Sequence, residues 1–167
     1  MRKLFYLFSL LVLASLQGCG VYSFTGASIS PEVKTVSIKY FPNRSSLIQP
    51  ALSQAFTEKL RDKFVSQTNL RQITENGDLM FEGYISDYRT QPVAIQGTET
   101  AALNRLTITV NVKFTNQKDE KQNFETNFSR YADYDSKKSL AEVEQTLIDE
   151  IDKQLVDDIF NKAVSNW

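Results

Sequence analysis

From Arg105 to Asn116 apolar and polar residues alternate without a fault. Leu106, Ile108, Val110, Val112 and Phe114 take one side; Thr107, Thr109, Asn111, Lys113 and Thr115 take the other. A period of two is a strand signature. One dry and one polar face predicts an antiparallel sheet covered on a single side. Thr35–Phe41 gives a shorter strand, with Val36, Ile38 and Tyr40 aligned. Leu79–Val93 gives a long one, with Phe81, Tyr84, Ile85 and Tyr88, whose alternation falters at Gly83 as at a bulge. Gln122–Ala132 supplies a further strand with Phe124 and Phe128 facing in, and Leu70–Ile73 has room for a short extended piece. Asn76-Gly77-Asp78 and Asn116–Lys121 read as turns, Asp78 most simply as a turn residue, and Gln96–Asn104 as a small polar loop.

Two stretches change period. Leu52, Ala55, Phe56, Leu60 and Phe64 recur at steps of three and four, which predicts an amphipathic helix ending near Gln67 to Asn69. Ser45 or Ser46 would cap it, with Pro50 in its first turn. A second helix spans Ser139 to Asn166. Its stripe is Leu140, Val143, Leu147, Ile151, Leu155, Ile159 and Phe160, and Ser139 with Glu142 forms a capping box. Glu142, Glu144, Asp149, Glu150, Asp152, Asp157 and Asp158 fall on its solvated side. The order is strand, helix, three strands, helix. It predicts an α+β two-layer sandwich, with two helices packed on one face of a mostly antiparallel sheet of about four strands.

The N-terminus is of another kind. Arg2 and Lys3 precede an apolar run from Leu4 to Leu16, too short for a comfortable permanent span, and Leu16-Gln17-Gly18-Cys19 follows. A small residue just before a cysteine, with leucine at the third position before it, is the pattern of a lipobox. The thiol of Cys19 would carry the diacylglyceryl thioether, and several acyl chains on one residue anchor stably. Residues 1–18 are thus expected to be a lipoprotein signal peptide, residues 19–32 the lipidated cysteine and a tether, and residues 33–167 a single α+β domain.

Cleavage after residue 18 leaves 149 of the 167 residues, enough for one domain with a core. Cys19 is the only cysteine and there is no histidine. Cysteine or serine–histidine nucleophilic catalysis and the usual zinc sites therefore drop out. Taking Arg2 and Lys3 from 19 basic side chains leaves 17 against 20 acidic ones, which offers nucleic acid nothing. No phosphate loop, dinucleotide fingerprint, cofactor or metal motif is present. Glu82 and Glu125 on neighbouring strands would be the carboxylates of a glycan hydrolase, although exposed strand positions explain them as well. Tyr88, Tyr131 and Tyr134 would stack on sugars or simply pack.

Several segments in order resemble one family. They are Leu16 to Phe24 with Thr35 to Asn43, Gly77-Asp78-Leu79 with Phe81-Glu82-Gly83, Asn104-Arg105-Leu106-Thr107, and Asp158 to Trp167. Together they resemble the LptE-like lipopolysaccharide-assembly lipoproteins of Bacteroidetes-type bacteria. The resemblance implies a non-enzymatic protein anchored in the outer membrane and facing the periplasm. It implies a large LptD-type β-barrel as partner, which the lipoprotein helps assemble and plugs, and lipopolysaccharide as cargo. Partner contacts are then expected at Thr98 and Thr100 in the polar loop and along the polar strand face. Arg89, Arg105, Lys113 and Arg130 are the strand cations that would meet anionic groups of lipopolysaccharide. Another envelope adaptor and the carboxylate-dependent hydrolase are the alternatives.

Overall fold

The computed structural model describes residues 29–47, 49–93 and 102–164. The expected signal segment, Cys19, most of the expected tether, Thr98, Thr100 and residues 165–167 lie outside the described residues.

The described chain forms β1 (Thr35–Ile38), α1 (Pro50–Gln67), β2 (Arg71–Gln72), β3 (Leu79–Val93), β4 (Leu103–Asn116), β5 (Phe124–Asp135) and α2 (Leu140–Val164). The sheet runs β2-β1-β3-β4-β5. β3, β4 and β5 form an antiparallel meander, while β1 lies parallel to both β2 and β3. Five strands replace the expected four or so. The fifth is the short piece after α1, held by Arg71 N–H to the Lys34 carbonyl and Ile73 N–H to the Val36 carbonyl, each 2.9 Å.

Both helices cover one face. Leu52, Phe56, Leu60 and Phe64 of α1 and Ile151, Leu155 and Ile159 of α2 are fully buried, against Leu106, Ile108, Val110, Val112 and Phe114 of β4. The alternation read from β4 is thus the core pattern itself. An aromatic row crosses both layers: Phe160, Phe64, Phe81, Phe114 and Phe124 follow one another at 4.7–5.1 Å between ring centroids. Tilted and edge contacts of this kind add about 1 kcal/mol each beyond the buried area.

β1 stops earlier than the sequence pattern suggests because a long-range contact takes over. Phe41 turns inward, its N–H donating to Thr57 Oγ1 of α1 at 3.1 Å, and its ring meets Phe56 edge-on at 5.3 Å. The chain then follows β3 loosely: Ile85 N–H donates to the Pro42 carbonyl and Arg44 N–H to the Ile85 carbonyl. The register irregularity in β3 lies between Ile85 and Asp87, not at Gly83, which pairs regularly with Val112. Gly83 broke the alternation for a different reason: a Cβ there would sit 2.6 Å from the Phe41 ring.

The cap of α1 also moves. Gln49 is its N-cap, its side-chain oxygen accepting Ala51 N–H at 3.0 Å, with Pro50 opening the helix. Ser45 is occupied elsewhere, its N–H and hydroxyl both donating to Asn43 Oδ1. At α2 the expected box half-forms: Glu142 reaches back to the Ser139 N–H at 2.9 Å.

Asp78 does more than turn the chain. Its Oδ2 accepts Lys34 N–H, Thr35 N–H and the Thr35 hydroxyl at 2.9–3.0 Å, and Lys118 Nζ stands 3.2 Å from Oδ1. Those bonds pin the start of β1 to the start of β3. Donors from Lys34 first, with Thr35 and Lys118, hold this carboxyl down to about 2. A carboxyl with a depressed folded pKa stabilises above its unfolded value, near 4, and loses that contribution as pH falls toward 2. Asp78→Ala is expected to cost about 2 kcal/mol at pH 7 and much less at pH 2.5, read from urea melts at both. An equal cost at the two pH values would sink this reading.

Candidate functional site: the open face of the sheet

Strand register decides which side chains share the helix-free face. Across β3, β4 and β5 the rows are Glu82–Lys113–Glu125, Tyr84–Asn111–Asn127, Asp87–Thr109–Ser129, Arg89–Thr107–Tyr131 and Gln91–Arg105–Asp133. Polar pairs knit these rows together. Thr109 and Ser129 hydroxyls meet at 2.9 Å, and Asn111 Nδ2 donates to Asn127 Oδ1 at 3.0 Å. Arg105 forks onto Asp133 at 2.7 and 2.8 Å and lies 3.6 Å over the Tyr131 ring. Arg89 meets Asp87 at 2.5 Å, Lys39 meets Glu82 at 2.6 Å, and Arg44 covers Tyr84 at 4.6 Å. Exposed ion pairs of this sort are screened by solvent and contribute little to stability. Their effect is to leave a broad face that is polar, charge-matched and studded with half-exposed Tyr40 and Tyr131.

The structure sorts the expected residues. Arg89, Arg105 and Lys113 share the open face. Arg130 does not. It pairs with buried Ile108, on the helix-bearing side, and its guanidinium forks onto Asp158 of α2 at 2.6 and 2.7 Å. The four cations are therefore not one surface. Of the three tyrosines offered for stacking, only Tyr131 lies on the open face. Tyr88 donates its hydroxyl to Glu144 of α2, and Tyr134 meets Thr90 Oγ1 at 2.9 Å. Burial first, then the Glu144 hydrogen bond and charge, push the Tyr88 hydroxyl well above its ordinary range.

Glu82 and Glu125 do not sit on neighbouring strands as expected. β4 runs between them, with Lys113 in register with both. Two strand spacings put their backbones roughly 10 Å apart. The Lys39 hydrogen bond holds Glu82 below the usual carboxylate range, where a general acid has to be raised. Among the described residues no group of three or more Asp, Glu, Cys or His could hold a metal ion. None of the described helices is long and apolar enough to cross a membrane.

Sequence reasoning missed two carboxylates. One is Asp78. The other is Asp152, assigned to the solvated side of α2 but fully buried there. Its spacing of four from Ile148 and from Val156, both buried, was the available signal.

Solved structures share the architecture. A minor lipoprotein from Acinetobacter baumannii superposes at a TM-score of 0.50 with 14% identity, covering 80% of this chain and 98% of its own. A hypothetical protein from Chlamydia trachomatis gives 0.52 at 9% identity, covering 80% and 99%. An uncharacterized lipoprotein B from Nitrosomonas europaea gives 0.51 at 12% identity, covering 88% and 90%. At such identities the likeness is one of fold. Compared with curated proteins, the chain matches none. The family model for lipopolysaccharide assembly, LptE, matches residues 33–163, from just before β1 almost to the end of α2, and the chain belongs to that family.

Proposed function

We propose that this protein is an outer-membrane lipoprotein, acylated on Cys19 and facing the periplasm, that partners an LptD-type β-barrel. It lodges partly within the barrel as a plug, helps assemble it, and the pair delivers lipopolysaccharide to the outer leaflet. The family is a lipopolysaccharide-assembly family and a non-enzymatic one. The observation that carries the finer reading is the open face of β3–β5: polar, charge-paired and free of helices. Such a surface keeps its own hydrogen bonds while meeting a wet wall through water, which is what a barrel lumen offers. A lipid on Cys19 would hold the domain at high local concentration beside a membrane partner.

The test is affinity purification of the tagged lipoprotein from outer membranes in mild detergent, followed by mass spectrometry. A stoichiometric large β-barrel of the LptD type is the expected companion. Its absence from an acylated, outer-membrane protein would overturn the partnership in favour of another envelope adaptor. Photo-crosslinkers at Thr98, Thr100 and Lys113 are expected to yield barrel adducts; adducts only from exposed α1 and α2 positions would place the contact on the wrong layer. Charge reversal at Arg89, Arg105 and Lys113 is expected to weaken lipopolysaccharide binding, and unchanged binding would remove these cations from the reading.

Cys19→Ser is expected to move nearly all of the protein out of the membrane fraction and to abolish palmitate labelling. Labelling that persists would refute acylation at this residue.

A further inference from the structure

The two edges of the sheet are built differently. β2 closes one edge with two residues. β5 forms the other with twelve, without proline and without a break in its register to β4. Natural proteins blunt long edges with proline, bulges, lysines or a covering segment. β5 has no proline, bulge or lysine; its charged residues are Glu125, Asp133 and Asp135 on the open face and Arg130, which is tied back to α2 by Asp158.

Hydrogen-bond parity shows what this edge presents. Ile85 exchanges backbone bonds with Pro42 and Arg44 on the β1 side, so Ile85 and Val110 face each other as a non-bonded pair. In an antiparallel ladder the pairs alternate. Val110 therefore bonds Phe128, and the even-numbered residues of β5 bond β4 throughout. The backbone N–H and C=O groups of Glu125, Asn127, Ser129, Tyr131 and Asp133 point away from the sheet. Among the described residues no backbone hydrogen bond reaches them.

We infer that β5 is a docking edge for an extended segment of a partner protein that adds as a sixth strand, with basic residues on one face and apolar residues on the other. Strand addition draws affinity from main-chain bonds and specificity from alternate side chains. Asp133 is held by the Arg105 fork, and the acidic open-face side chains of β5 left for a partner are Glu125 and Asp135, with no cation among the β5 residues of that face. On the opposite face Phe124 and Phe128 are half-buried and pack on the core, so apolar partner side chains would extend that layer. A second copy fits poorly. Antiparallel self-pairing along the whole strand sets Glu125 opposite Asp133 or Asp135 of the copy, and like charges directly opposite repel. This inference concerns the edge of the sheet and stands apart from the barrel reading of its open face.

The experiment uses the intact chain and synthetic peptides of about nine residues. One alternates lysine with valine; the second has glutamate in place of lysine; the third is the lysine peptide N-methylated at its lysines, whose N–H groups face β5 when the peptide adds antiparallel. Fluorescence anisotropy is expected to show the lysine peptide binding more than about tenfold tighter than either other peptide. Asn127→Pro with Ser129→Pro removes two outward donors and no bond to β4, and it is expected to abolish binding while circular dichroism stays that of the folded chain. If that variant fails to fold, the N-methylated peptide carries the same comparison. Equal binding of the lysine and N-methylated peptides would overturn strand addition, and equal binding of the lysine and glutamate peptides would overturn the basic partner. A concentration-dependent dimer in sedimentation that disappears in the proline variant would assign the edge to a second copy and overturn the proposal.

Discussion

Gly83→Ala is expected to cost more than about 3 kcal/mol and to leave much of the protein unfolded. The added methyl would sit 2.0 Å from the carbonyl oxygen of Asn111 and 2.6 Å from the Phe41 ring. A ring at the end of a side chain can swing aside; a carbonyl in the central ladder cannot move without parting β3 from β4. That strand pair is the longest in the sheet and carries Phe81, Ile85 and Phe114 of the core on its dry side. Denaturant unfolding measures the loss directly. The double variant with Phe41→Leu separates the two contacts, because it relieves the ring and leaves the carbonyl. Recovery of most of the stability in the double variant would show that the ring, not the ladder, sets the cost; a midpoint unchanged in Gly83→Ala would refute both.

The second large effect has the opposite sign. Asp152 is fully buried on α2, and neither carboxylate oxygen has a hydrogen-bond partner among the described residues. Burial pushes this carboxyl up to about 7; Lys59 across on α1 pulls it down and Asp149 pushes it further up. A carboxyl raised in the folded state keeps its proton longer there than in the unfolded chain. Stability is therefore highest below the unfolded value, near 4, falls as pH rises through 7, and then levels off. Asp152→Leu removes that penalty. It is expected to stabilise the domain by about 3 kcal/mol at pH 8 and by much less at pH 5. The window is clean, since the chain has no histidine to titrate within it. Unfolding midpoints of wild type and variant at the two pH values decide the matter. A wild-type stability flat between pH 5 and 8 would mean that Asp152 does not change charge there.

Local pattern carried the core and lost the neighbourhoods. The alternation of Leu106 to Phe114 and the spacing of Leu147, Ile151, Leu155 and Ile159 were enough to place a dry sheet face under two helices, because burial follows from periodicity alone. Asp152 breaks that rule in one place: its polarity predicts the solvated side, and its position beside the stripe buries it. Arg130 shares parity with Phe124 and Phe128, so its side of β5 was readable; its partner Asp158, 28 residues away, was not. The early end of β1 depends on a hydroxyl from α1, and the separation of Glu82 from Glu125 depends on which strand lies between them. Each is a fact of topology, which a single strand's sequence does not contain.

The staple at Asp78 has a mechanical consequence. If the lipid on Cys19 holds the domain to a membrane, a pull between membrane and domain first meets Ile29 and Val33, which are packed on the core, and then Lys34 and Thr35. Their two amides and one hydroxyl converge on a single carboxylate oxygen. Bonds that share an acceptor bear load together and yield together, so the domain should resist tension up to a threshold and then release β1 in one step. Protonating or removing that carboxylate would lower the threshold while the meander and the helices behind it stay loaded only at second hand.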